Sequence, residues 1–154
     1  MSLAKEKPYF ASPTDYEDDF HAWAFEQAEL LRLKRFGELD LANLVEEVES
    51  MGSEQRHALE SSYRLLIFHL LKWQFQAERR SRSWQLTILR ERGNIARREK
   101  RNPSLAAKVS EIVADIYRDA RKEASVETGL DRNMFPHVCP YSLDQLRDQD
   151  FLPE

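Results

Sequence analysis

Four histidines, one cysteine and a dense population of carboxylates are the side chains that could do chemistry in this chain. Two histidines follow an acid at a spacing of three: Asp18 with His21, and Glu54 with His57. Helical bundles hold two metal ions with Glu-x-x-His on two helices and a Glu from each of two others, all pointing inward. At 100° per residue, His21 falls about 100° from the Phe20 face, and His57 about 140° from the Leu59/Leu66/Leu70 face. Both pairs point to water, so no metal site is expected. His69 lies beside Leu66 and Trp73 at the edge of an apolar face, where structural hydrogen bonding is the expected role. Cys139, in His137-Val138-Cys139-Pro140, has no identifiable redox or nucleophilic partner and reads as a small apolar anchor in a pinned loop. Walker, GxGxxG, GxSxG, HExxH and CxxC patterns are absent. No catalytic residue is assigned and no cofactor is expected.

Charge placement carries more information than any catalytic motif. The net charge of −4 gives no global pull toward nucleic acid or anionic lipid. Residues 38–60 nevertheless contain seven acids and one base, a net −6, and residues 79–101 contain nine bases and two acids, a net +7. In the basic segment Trp84, Ile88 and Ile95 share one helical face. Arg79, Arg90, Arg97 and Arg101 fall within about 40° of each other on the opposite face. Such a stripe could track phosphates, or it could be a solvated face, or one covered by an acidic helix or a second subunit. Arg92 differs from these, lying at the edge of the apolar face. Its expected state is a partly buried ion pair with Glu47, which would set helix register more than it adds stability.

The elements that must position these groups are helices. The 154 residues are 42% apolar and 32% charged, enough for a core inside a charged shell. The one cysteine excludes an internal disulfide and fits a reducing compartment. The opening MSLAKEKPYFASP lacks an apolar core for a secretory signal. No stretch has the ~20 apolar residues of a membrane span. A cytoplasmic location is expected, with no membrane contact. Residues 1–13 read as an extended lead-in. A first helix starts at Thr14, whose capping box uses Glu17; it carries Tyr16, Phe20, Trp23, Ala24, Gln27, Ala28 and Leu31 inward and ends at Gly37. A second starts at Asp40, buries Leu41, Leu44, Val45, Val48 and Met51, and ends or bends at Gly52. Ser53 caps the third, in which LESSYRLLIFHLLKWQF (59–75) is apolar on most sides and central. The fourth follows Ser81 or Ser83; the fifth runs from Pro103 to Gly129. Ser142 with Gln145 caps a short last helix. Met51, Met134, Trp23, Trp73 and Trp84 are counted as core. The expected fold is all-α: an antiparallel, bundle-like domain over 14–154 with five main helices plus a short C-terminal one.

Five segments in order resemble one bacterial family: DLANLVEEVESMG (40–52), LLIFHLLKWQFQ (65–76), RSRSWQLTILRERGNI (80–95), NPSL (102–105) and FPHVCPYSLDQL (135–146). They resemble DUF29, a domain of unknown function abundant in cyanobacteria and present in proteobacteria. The resemblance spans roughly residues 14–153. It implies an all-helical fold and supplies no activity, cofactor or catalytic residue. It emphasises Glu46, Glu47, Glu49 and Arg92, among positions that otherwise have packing or turn roles. The functional expectation is a small protein-interaction module, binding another protein or itself through its charged faces, with Glu46, Glu47, Glu49 and Arg92 as contact candidates. The alternative is a nucleic-acid accessory protein using Arg79, Arg90, Arg97 and Arg101. A third reading, an enzyme or metal protein centred on Glu47, His69 and Arg92, requires those three to converge on a pocket.

Overall fold

A computed structural model describes residues 6–154. The described residues are helical, with no strand among them. The helices are α1 (Phe20–Arg32), α2 (Leu41–Phe75), α3 (Arg82–Arg101), α4 (Pro103–Ala106), α5 (Val109–Thr128) and α6 (Leu143–Arg147). Residues 1–52 and 53–154 form two compact units.

The all-α expectation holds, and four helix boundaries differ from it. Residues 41–75 are one helix of 35 residues, so Gly52 does not end it. A glycine inside a helix costs about 1 kcal/mol relative to alanine, too little to interrupt flanking residues such as Glu, Met, Gln and Ala. Thr14 does not start α1; the N-cap is Asp19, whose side chain accepts from the Ala22 amide at 3.0 Å. Asp15 instead accepts from the Glu17 amide at 2.9 Å and diverts residues 15–18 into a turn. Asp15, Glu17 and Asp18 thus precede the helix. Helix α1 stops at Arg32 rather than Gly37, through the left-handed Lys34 (φ 57°) and an amide bond from Arg35 back to the Leu30 carbonyl at 2.9 Å. The expected fifth helix is divided into α4 and α5 by a turn at residues 107–108. Residues 1–5 of the expected lead-in lie outside the described residues; residues 6–13 contain neither helix nor strand.

Other signals hold as read. Asp40 caps α2, Ser81 caps α3 through the Trp84 amide, and Gly129 closes α5 in the left-handed conformation (φ 72°). Ser142 and Gln145 form a complete capping box on α6.

In residues 53–154, the second half of α2 is central. Leu59, Tyr63, Leu66, Ile67, Leu70 and Leu71 are fully buried against Ile88 and Ile95 of α3, the apolar row of α5, Phe135, Tyr141 and Leu146. Contacts fix helix direction. Lys72 lies over Trp84, and Tyr63 meets Glu99, so α2 and α3 run antiparallel. Arg56 faces Asp115, Arg64 faces Glu123 and Lys72 faces Glu127, so α2 and α5 run parallel. The unit is an up-down-up arrangement closed by the C-terminal segment. In residues 6–52, Trp23, Gln27 and Leu30 of α1 are buried, the inward row being Leu30 rather than the expected Leu31.

Candidate interaction surfaces

The start of α2 presents its faces the opposite way from the pattern. Its polar row, Asp40, Asn43 and Glu47, meets α1 and the turn before it. The Trp23 indole donates to Asp40 at 3.0 Å, the Asp40 amide donates to Gln27 at 2.8 Å, and the Tyr16 hydroxyl donates to Glu47. Tyr16 also packs edge-on against Trp23, with ring centroids 4.9 Å apart. The bond to Glu47, which the ionised phenol would lose, pushes the Tyr16 pKa up to about 12. Hydrogen bonds from Asn43 foremost, and from Trp23, hold the Asp40 carboxyl below the usual carboxylate range. Facing the polar row inward satisfies each of these groups, and it turns the apolar row outward. Leu41, Val45, Val48 and Met51 are 61%, 56%, 64% and 64% exposed. Of the buried stripe the sequence suggests, Leu44 alone is partly buried and these four face outward. Glu46 and Glu49 are exposed beside them, with no ion pair among the described residues.

The basic face belongs to α3. Arg90, Arg97 and Arg101 project from it and are exposed. Arg79 is exposed too, but it sits in a 3-10 turn before the helix and is not part of the helical stripe. Arg97, Arg98 and Arg101 line an open groove of about 340 Å³ with Asn94 and Gln55. No acid lines it, and the buried Nε of Arg98 has no hydrogen-bond partner.

Arg92 has a different role from the ion pair anticipated for it. It is 1% exposed and is the bulkiest fully buried side chain. Its Nε, Nη1 and Nη2 donate to the carbonyls of Leu146, Phe151 and Gln145 at 3.0, 2.7 and 3.0 Å. The guanidinium therefore staples the C-terminal segment, and the Leu146 carbonyl it takes is buried. Burial lowers its pKa, partly opposed by Asp148 and Asp150. Glu47 and Arg92 each have hydrogen-bond partners within their own unit.

The buried Lys72 and Glu91 and the half-buried Glu99 are marked by no sequence motif considered above. Lys72 is 4% exposed, with its ammonium 4.5 Å from the ring centres of both Phe68 and Trp84 and 3.8 Å from Glu127. Desolvation lowers its pKa. The available signal was a lone lysine inside LLIFHLLKWQF with an aromatic four residues before it. Glu99 accepts from the buried Tyr63 hydroxyl and pairs with Arg147 at 3.2 Å, joining α2, α3 and α6. Glu91 is 5% exposed and accepts from Asn94. The Lys72 and Glu99 contacts fasten helices together, whereas the partners of Glu91 lie on its own helix.

The chemistry candidates are equally structural. The His69 Nδ1 donates to the Leu65 carbonyl at 2.8 Å, and burial lowers its pKa, keeping the ring neutral near pH 7. Burial raises the Cys139 pKa, which disfavours the reactive thiolate, and its sulfur sits 3.7 Å from the Tyr141 carbonyl. His21 packs against Phe25, and His57 is exposed. No group of three potential metal ligands occurs among the described residues. Met51 and Met134, expected in the core, are exposed; Trp23 is buried, and Trp73 packs at the core's edge. No helix of the described residues is long and apolar enough to cross a membrane.

The model of the family described as "Domain of unknown function DUF29" matches residues 16–152. The chain belongs to the DUF29 family. No curated protein and no solved structure matches it. The DUF29 match starts at Tyr16, which bonds Glu47, and ends beside Phe151, whose carbonyl takes Arg92. It thus includes both the clasp at the start of α2 and the C-terminal staple. Within this DUF29 chain Glu47 and Arg92 make those contacts, while Glu46 and Glu49 make no side-chain hydrogen bond or ion pair among the described residues.

Proposed function

We propose that this DUF29 chain is a small cytoplasmic protein-interaction module that works through charged helical faces. The observation that supports it is the exposed row Leu41, Val45, Val48 and Met51 with Glu46 and Glu49 beside it. Apolar side chains in a contiguous exposed row at helical spacing are the mark of a surface that another helix covers. The acids beside them favour a basic partner surface and speed its approach. A tagged full chain tests this by pull-down from its native host at low and raised salt. A protein captured in stoichiometric amount, and lost with Val45→Arg, is the expected result. Retention of the same partner by Val45→Arg, or no protein capture at either salt, would refute it.

The arginine groove favours a second reading, a nucleic-acid accessory role for Arg90, Arg97 and Arg101, with Arg79 nearby in sequence. The groove is lined by Arg97, Arg98 and Arg101 with no acid among the lining residues, which suits phosphate oxygens; Arg90 is on the same helix but does not line it. Nucleic acid that co-elutes at low salt, disappears at high salt and is lost with Arg97→Glu and Arg101→Glu would establish it. Unchanged recovery with those substitutions would dismiss it.

A further inference from the structure

Two exposed helical rows in this chain share one spacing and carry opposite charge. On α2 the row is Leu41, Val45, Val48 and Gly52, with steps of four, three and four. On α3 it is Leu86, Leu89, Gly93 and Ala96, with steps of three, four and three. Alternating steps of three and four generate the seam through which helices pack side by side. Both rows face outward: Leu86 and Leu89 are 63% and 54% exposed. At 1.5 Å per residue the two rows have nearly equal lengths, about 15–16 Å.

The glycines supply an independent observation. Neither Gly52 nor Gly93 has positive φ. A Cβ added at Gly52 would meet nothing within 4 Å, and one at Gly93 would meet only the mobile end of Arg97 at 3.4 Å. Each glycine weakens its helix by about 1 kcal/mol relative to alanine, yet no neighbour in the chain needs the space. Both lie on the seams, where the missing side chain would let another helix backbone come close.

Charge names the occupant. Beside the α3 seam stand Arg82, Arg90, Arg97 and Lys100, all within about 100° of Leu89. Beside the α2 seam stand Glu49, about 40° from Val45, and then Glu46. The α3 row is apolar, small and basic; the α2 row is apolar, small and acidic. We infer that the partner is a second copy of this chain, the α2 seam of one copy docking on the α3 seam of the next. This rests on the interaction-module reading and names its partner.

Val48→Arg puts a cation into the acidic seam, and Leu89→Glu puts an anion into the basic one; both positions are exposed, so both variants should fold. Sedimentation velocity of the full chain at tens of micromolar, with circular dichroism melts as a folding control, provides the test. Wild type is expected to self-associate, more weakly at high salt, and each variant to sediment as a monomer. An equimolar mixture of the two variants retains one intact seam of each kind on different molecules. It should form a one-to-one complex that cannot grow further. A monomeric wild type, association that survives either substitution, or a mixture that stays monomeric would overturn the inference. If wild type is monomeric but host pull-down yields a different protein that Val48→Arg loses, the second copy is wrong and the interaction-module reading stands. If wild type is monomeric and nothing is captured, both fall.

Discussion

The two units treat their apolar residues in opposite ways. Among the described residues, 53–154 bury eighteen apolar side chains and leave five large ones exposed, whereas 6–52 bury two, Trp23 and Leu30, and leave ten large ones exposed. The larger unit satisfies itself: α2, α3, α5 and the C-terminal segment close around Tyr63, Leu66, Leu70 and Ile112. In the smaller unit the closest contacts are polar, Trp23 with Asp40 and Tyr16 with Glu47, and the apolar row of α2 faces out. Burial of apolar surface is the main driving force for packing. A region whose inward contacts are polar and whose outward face is apolar has that force left for another molecule.

Substitutions in the two units should separate these behaviours. Leu70→Ala or Ile112→Ala should cost about 2–5 kcal/mol of stability in chemical denaturation, the usual range for truncating a buried aliphatic side chain. Arg92→Met keeps much of the volume but leaves the Leu146, Phe151 and Gln145 carbonyls without donors. A loss of about 1–3 kcal/mol is expected, with faster hydrogen exchange across residues 143–152 than elsewhere. Uniform exchange across the unit would contradict the staple. Trp23→Phe removes the indole donor to Asp40 and should cost about 1 kcal/mol, seen as faster exchange confined to α1 and the start of α2. Val45→Ser should change stability by no more than about 0.5 kcal/mol, as exposed positions do, while weakening association. A large stability loss there would show that Val45 is covered within the chain.

The smallest expected effect is a pH dependence in the larger unit. Burial lowers the His69 pKa in the folded state. The unfolded chain therefore binds the proton first as pH falls below about 6.5. Stability should drop from there and level off below the folded-state pKa. His69→Gln should flatten the fall in melting temperature between pH 7.5 and 5. An unchanged pH profile would assign the acid sensitivity to other groups.

Most of the larger unit was legible because its apolar residues recur at helical spacing and are all used inward. The run LLIFHLLKWQF, the row from Val109 to Ala124, the Ser81 and Ser142 caps and Gly129 each say the same thing locally and in the fold. The smaller unit was misread where periodicity alone decides nothing. A helix with an apolar row and a polar row can face either one inward, and here Trp23, Tyr16 and Gln27 offered hydrogen bonds that made the polar row the better fit. Glycine is a weak helix former, which suggests an end or a bend at Gly52, but its cost is small beside two long helical flanks and the helix continues. Glu46 and Glu49 are exposed. Arg92 was correctly placed at a buried edge, but its partners are backbone carbonyls more than fifty residues away, which no spacing rule reveals.

The central claim is that the outward row of α2 is a contact surface. Photo-crosslinking from a benzoylphenylalanine placed at Val48, with the still more exposed Val126 as an apolar control, tests it most directly. In the full-length protein at micromolar concentration, the account predicts a crosslinked dimer from position 48 whose attachment point maps to residues 82–101, and none from position 126. Equal crosslinking from both positions, or none from position 48 in purified protein and in host lysate alike, would contradict it.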